Sequence, residues 1–242
     1  VDETSLMEKG FHKVAKNYIL YRAQQQLQRT QKLQEQIEQH NLYVKINDTD
    51  TVIFDPNKLE ELYRQLTPDL MKVSISDLVE GVKQQVYNLI PQSELDQLIL
   101  GAARERIEKH YDYAYLSSRI LLGFHYQNIL SLNYNASTIE TVYRSNFSNF
   151  VKQGLDEEML HPDMGGFDLK KLGQAIQPQR DELFSYLGTQ ILTDRYLLRD
   201  RSATRNIYEL PQWFWMRVSM GLALKEAPSE RDDRAIEFYN VL

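Results

Sequence analysis

Residues 183–226 read LFSYLGTQILTDRYLLRDRSATRNIYELPQWFWMRVSMGLALKE. Leu183, Tyr186, Leu187 and Ile191 recur at spacings of three and four, which places them on one helical face. A long helix from about Arg180 to Tyr196 is therefore expected, with those four side chains inward. RDRSATRN (199–206) has no apolar residue larger than alanine and reads as a polar turn, a small hairpin joining Leu197 and Leu198 to Ile207 and Tyr208. Pro211 suits the first turn of a helix, where its missing N–H leaves nothing unsatisfied. That helix carries Trp213, Trp215, Val218, Met220 and Leu222, and a last helix is expected from Ser229 to the end.

Upstream, YDYAYLSSRILLGFHYQNIL (111–130) is apolar over more than one face and reads as a buried helix. Ser137 with Glu140 has the spacing of a capping box that opens a helix through Phe150. Asp168 can cap a helix carrying Leu169, Leu172 and Ile176, ended by Pro178. LYVKI and TVIFD, separated by the turn formers NDTD, read as a β-hairpin over about Leu42 to Asp55. Helical spacing then resumes in three runs: Leu59, Leu62, Tyr63, Leu66; Leu78, Val79, Val82, Val86; and Leu95, Leu98, Ile99, Ala102, Ala103, Ile107. Ser74 with Asp77, and Ser93 with Asp96, have the spacing of short-acid capping boxes. Residues from Leu6 to about Gln39 are almost all helix formers, the second half a Gln-rich tract expected to be an exposed helix. The expected fold is mainly α. Its parts are a leading helical segment (1–41), a hairpin-plus-helices module (42–127) and a helical domain (128–242).

Composition bounds the chemistry. The 242 residues, 42% hydrophobic and 26% charged, suit a globular chain with a sizeable core. No stretch approaches the roughly 18 to 20 apolar residues of a membrane span, and the first residues lack a signal-peptide pattern, so a cytoplasmic setting is expected. The net charge of −6, from 28 basic and 34 acidic residues, argues against a nucleic-acid partner. There is no cysteine, so no disulfide, thiolate metal site or thiol nucleophile can be built from this chain.

Motifs of known chemistry are scarce. The five histidines are scattered without metal-ligand spacing, and no glycine-rich phosphate loop occurs. Glu157, Glu158 and His161 read as a solvated helix end. Asp194, Arg195, Arg199, Asp200, Arg201 and Arg205 form a charge run that could hold a phosphate or an acidic partner, with a salt-bridged turn as the default. Trp213, Phe214 and Trp215 read as core packing.

The 183–226 stretch resembles the N-terminal helical region of the ribonucleotide reductase large subunit. The family run F-x-Y-L-G-x-Q-x-L-x-D-R-Y is carried by Phe184, Tyr186, Leu187, Gly188, Gln190, Leu192, Asp194, Arg195 and Tyr196. The run P-Q-x-x-x-M-R-V-A-M-G-L-A is carried by Pro211, Gln212, Met216, Arg217, Val218, Met220, Gly221, Leu222 and Ala223, with Ser219 in place of an alanine. YDYAYLSSRILL resembles a further family helix, with Ser117 and Ser118 for two alanines. The hairpin module resembles an ATP cone through Lys45 and through Phe54, Asp55, Lys58 and Leu59, and GFHKVAKNYILYR (10–22) resembles the closing helix of a preceding cone.

The resemblance implies a reductase that makes deoxyribonucleotides for DNA synthesis, with this chain placed beside its barrel in a structural and allosteric role. Its catalytic cysteines are absent here, so the chain alone is expected to be inactive and to hold no cofactor. The resemblance further implies ATP or dATP effectors, a radical-carrying small subunit, the remainder of the large subunit and a homo-oligomeric parent, with neither nucleic acid nor membrane as partner. Lys45 and Lys58 are the candidate nucleotide-contacting residues. Asp96 stands where the family has a nucleotide-contacting histidine. Like charges at ~4 Å repel by about 1 to 4 kcal/mol, so a degenerate cone is expected. The alternative is a free-standing helical regulatory or interaction module. With the barrel missing, an exposed apolar patch is expected near Trp213 and Met220.

Overall fold

A computed structural model of the chain describes residues 42–242 and, before them, Tyr21, Gln24 and Gln25, which are helical. The expected closing helix and Gln-rich connector of 1–41 otherwise lie outside the described residues. The chain divides into two compact units, residues 1–64 with 74–102, and residues 65–73 with 103–242.

In the first unit the hairpin forms as expected. Strands β1 (Tyr43–Lys45) and β2 (Thr51–Ile53) pair antiparallel with Val44 opposite Val52. The turn between them is closed by Asn47, whose Oδ1 accepts from the N–H groups of Thr49 (2.9 Å) and Asp50 (2.8 Å). Helix α1 (Pro56–Leu66) follows at once because Asp55 accepts from Asn57 N (2.9 Å) and Pro56 needs no partner in the first turn. Helix α2 (Ile75–Lys83) is capped by Ser74, which accepts from Asp77 N as its spacing implied. Helix α3 (Gln92–Arg104) starts one residue before Ser93. Its Asp96 is held by Gln92 Nε2 (2.7 Å) rather than serving a serine cap. A third strand, β3 (Ile90–Pro91), runs parallel to β1 and gives the order β2-β1-β3. Two residues ending in proline carry no alternation to read, so this strand was invisible in the sequence. Tyr63, fully buried, donates its hydroxyl to the Ile99 carbonyl (2.9 Å) and ties α1 to α3.

The second unit is helical. Its elements are α4 (Asp112–Leu130), α5 (Ile139–Asp156), α6 (Leu169–Ala175), α7 (Tyr186–Arg195), α8 (Pro211–Leu222) and α9 (Arg231–Val241), with short 3-10 turns at Pro162–Gly166, Pro178–Leu183 and Ala223–Lys225. Gln127, where the sequence reading ended the hairpin-led module, lies inside α4. Helix α4 packs on α7, α5 on α6 and α8 on α9. Segment 65–73 is stitched to α4. Arg119 donates to the Leu66 carbonyl (2.9 Å) and to both carboxylate oxygens of Asp69, and Asp112 accepts from Lys72 N (2.9 Å). Asp168 caps α6 through Lys170 N and Lys171 N, as expected. The Ser137–Glu140 box does not form. Thr138 precedes α5 without a side-chain cap, and Glu140 pairs with Arg144 (3.4 Å) instead. Among the described residues no helix is long and apolar enough to cross a membrane.

Two further expectations, both for residues 180–196, are corrected. The stretch from Arg180 to Tyr196 is not one helix. A 3-10 turn ends at Leu183, Phe184 and Ser185 are extended, and α7 starts at Tyr186. Helix α7 is also rotated relative to the periodicity reading. Leu183 (75%), Leu187 (67%) and Ile191 (41%) are exposed, while Thr189, Leu192 and Thr193 face inward. Polar pairing outweighs the apolar stripe here, because the inward hydroxyls meet partners on α4: Ser118 with Thr189 (2.6 Å) and His125 Nε2 with Thr193 (2.9 Å). Trp213 and Met220 are themselves packed in the core, while Leu222 (57%), two residues after Met220, is exposed, as are Val241 and Leu242 at the end of α9.

Helices α5 and α6 approach so closely that a Cβ at Gly173 would sit 2.6 Å from the Arg144 carbonyl oxygen. That oxygen belongs to a helix backbone and cannot swing away. Gly173→Ala is expected to lower unfolding stability by about 1–3 kcal/mol, the usual cost of overpacking. A urea titration followed by circular dichroism checks this, and an unchanged midpoint would refute it.

Candidate functional site

The cone-like residues sit in the first unit. Lys45, at the end of β1, forms an ion pair with Asp48 of the adjoining turn (2.9 Å). Lys58 lies exposed on α1, where a phosphate could reach it. Phe54 is buried in the core, and Asp55 is engaged as the α1 cap. Asp96 is half-buried on α3, and burial raises its carboxyl above the usual range, opposed by the Gln92 amide. No hydrogen bond or ion pair joins Lys45 to Lys58 or either of them to Asp96. Asp48, three residues on, is almost fully exposed, so this is a solvent-screened surface pair that places a carboxylate beside the ammonium group.

The second unit holds a buried polar centre that the sequence reading did not single out. Asp181, fully buried, accepts from the hydroxyls of Tyr126 (2.7 Å) and Tyr143 (2.9 Å) and from Gln212 Nε2 (2.9 Å). Gln212 N in turn donates to Tyr143 Oη (3.0 Å), and the Tyr239 hydroxyl donates to Gln212 Oε1 (2.7 Å). Gln177 N closes the chain on Tyr239 Oη (3.0 Å). Helices α4, α5, α8 and α9 thus meet on one carboxylate and its partners. Gln212, directly after the helix-opening Pro211, was the available signal. A polar residue in the first turn of an aromatic-rich helix needs a buried partner. A second carboxylate, Glu209, is also fully buried; it accepts from Leu198 N (2.8 Å) and from Arg217 Nε (2.6 Å), pinning the hairpin turn to α8.

Beside the Asp181 centre is a cavity of about 310 Å³, lined by Arg180, Phe184, Gln212, Trp215, Tyr239 and Asn240 among others. Arg180 donates to the Tyr239 carbonyl (3.1 Å) and to Asn240 Oδ1 (3.2 Å), and lies over the Tyr239 ring. The cavity wall is therefore satisfied and offers no free catalytic group. His161 Nδ1 accepts from Asp163 N (3.3 Å) at the start of a 3-10 turn, and His125 is taken by Thr193. Among the described residues no three histidine, aspartate or glutamate side chains converge as metal ligands.

Residues 182–242 match the family model described as the ribonucleotide reductase all-alpha domain. Ribonucleoside-diphosphate reductase subunit alpha of Chlamydia muridarum is 35% identical over 99% of this chain. The subunit alpha of Helicobacter pylori is 31% identical over 78% of it. Ribonucleoside-diphosphate reductase 1 subunit alpha of Escherichia coli is 26% identical over 84%. The chain spans 23%, 22% and 26% of the lengths of these relatives. The resemblance to the N-terminal region of the ribonucleotide reductase large subunit therefore holds along essentially the whole chain. The mainly helical fold accords with the all-alpha family description.

Two buried titratable groups act in opposite directions on stability. Burial pushes the Asp181 carboxyl up to about 6, and burial together with Arg199 pulls the His125 imidazole down to about 4. Between about pH 4 and 6 folded Asp181 keeps a proton that the unfolded chain has released, so its contribution falls as pH rises. Over the same window unfolded His125 binds a proton that the folded protein refuses, so its contribution falls as pH drops. Each amounts to ~3 kcal/mol at full extent. Asp181→Asn is expected to steepen the loss of stability on acidification from pH 6 to 4, and His125→Gln to reverse it. Urea midpoints across that range test the pair; parallel profiles in both variants would sink the assignment.

Proposed function

We propose that this chain is a non-catalytic, structural and regulatory part of a ribonucleotide reductase large subunit. The whole protein would reduce ribonucleoside diphosphates to deoxyribonucleotides for DNA synthesis. The match of 182–242 to the all-alpha domain carries this reading. A free-standing cone-like module, the alternative, would have no reason to carry that domain.

The absence of cysteine sets the chemical limit. Hydrogen abstraction and substrate reduction by thiols need sulfur supplied from elsewhere in the parent protein. The second unit supplies a rigid helical support, its core knotted around Asp181. Its proposed partners are the remainder of the large subunit, a radical-carrying small subunit and further copies of the parent. ATP or dATP are the proposed effectors of the parent, and the hairpin module is proposed to have kept the cone fold while losing the ligand. Lys45 has the carboxylate of Asp48 beside it, and the half-buried acid Asp96 stands where the resemblance implies a histidine that would favour phosphate.

Titration calorimetry of this chain with ATP and with dATP is expected to give no binding heat. Saturable micromolar binding of either would overturn the degenerate-cone reading. Assays of the chain alone with ribonucleoside diphosphates and a thiol reductant are expected to yield no deoxyribonucleotide, and turnover there would overturn the non-catalytic role.

A further inference from the structure

The turn at 199–206 does not have the salt-bridged form expected of its sequence. Between Arg195 and Arg205 stand four arginines and one aspartate, inside a chain of net charge −6. Among the described residues none of the four guanidinium groups has a carboxylate within 4.0 Å. The carboxylates expected to pair with them are used otherwise. Asp200 is bent back into the turn, accepting from Ser202 Oγ (2.5 Å) and Asn206 N (3.0 Å), and these bonds hold its carboxyl below the usual range. Asp194 accepts from Gln190 on its own helix (2.8 Å). Two of the arginines contact backbone carbonyls, which leave their charge uncompensated: Arg199 reaches those of Thr193 (3.0 Å) and Arg205 (3.2 Å), and Arg201 that of Glu158 (3.4 Å).

The scaffold under this charge is braced. Tyr208 N donates to the Leu198 carbonyl (3.2 Å), Asp200 N to that of Asn206 (2.9 Å), and buried Glu209 holds Leu198 N. Little ordering entropy is left to lose on binding, which favours a real contact surface over a floppy charged loop. Arg195, Arg201 and Arg205 are exposed.

We propose that the arginine-bearing turn 199–206, with Arg195, is a docking surface for an extended acidic segment of another polypeptide. Guanidinium forks spread along a hairpin suit several carboxylates in series better than one phosphate, because no nest of free backbone N–H groups closes around a single anion here. The turn's own amides at Ser202 and Asn206 are already committed to Asp200. A second copy of this chain is the poorer occupant. Its acidic cluster on α9 is occupied at home: Asp232 accepts from Asp168 N, Asp233 pairs with Lys171 and Glu237 with Arg234.

The test uses the full chain and a fluorescein-labelled oligoglutamate, followed by anisotropy at low and high salt. Binding is expected to be saturable, to weaken as salt screens it, and to fall about tenfold or more in the double variant Arg201→Glu/Arg205→Glu. Both side chains are exposed, so circular dichroism of that variant should match the parent. The control Lys109→Glu/Lys225→Glu makes the same change of net charge elsewhere and is expected to leave affinity within about twofold. Equal losses in both double variants would overturn the proposal by reducing the effect to bulk charge. Displacement of the peptide by inorganic phosphate at lower concentration than by unlabelled oligoglutamate would overturn it in favour of a phosphate ligand. Sedimentation showing self-association that the Arg201/Arg205 variant abolishes would overturn it in favour of a second copy.

Discussion

A single buried carboxylate organises the second unit. Asp181 comes from a 3-10 turn too short to pack by itself, yet it collects two tyrosine hydroxyls and a glutamine amide from three different helices. Leaving a charge of that kind unpaired inside a protein costs several kcal/mol, so the helices are constrained to arrive where those donors are. The aromatic shell follows from the same constraint. Tyr143 lies edge-on to both Tyr126 and Trp213, and Trp213 stacks on Phe150 with its Nε1 donating to the Tyr143 carbonyl. Register between α4, α5 and α8 is thereby fixed by hydrogen-bond direction, which apolar packing alone specifies less sharply.

The same logic explains why α7 runs against its own pattern. Ser118 and His125 on α4 lie on a face that α7 must cover, and covering it with leucine would strand a hydroxyl and an imidazole. Thr189 and Thr193 satisfy both, and the price is that Leu187 and Ile191 turn outward. Exposed apolar side chains on α7, in a chain that spans about a quarter of the length of its relatives, fit the proposed role as one part of a larger protein. In the proposed function the unit is a support, and a support gains from an interior that admits only one arrangement.

The first unit separates what packing holds from what only a ligand would hold. Its hairpin, parallel third strand and three helices close over Val44, Phe54 and Tyr63, all buried. In the proposed degenerate cone the surface positions are the ones that differ from the family: Lys45 pairs with Asp48, and Asp96 is a half-buried acid. Core residues are held by packing, while surface residues are held only by what they bind.

Much of this was legible beforehand. The hairpin, the Ser74 and Asp168 caps, the proline that opens α8 and the mainly helical class all depend on interactions within a few residues, and these local rules can be read along a chain. The motif run from Phe184 to Ala223 also carried the family resemblance. Other features depend on residues distant in sequence. Which face of α7 is inner was decided by Ser118 and His125, some 70 positions away; β3 exists only because Val44 offers it an edge; and Asp181 reads as an ordinary surface acid until three helices converge on it. Periodicity records which side chains share a face, but hydrogen-bond partners from elsewhere in the chain determine which face is buried.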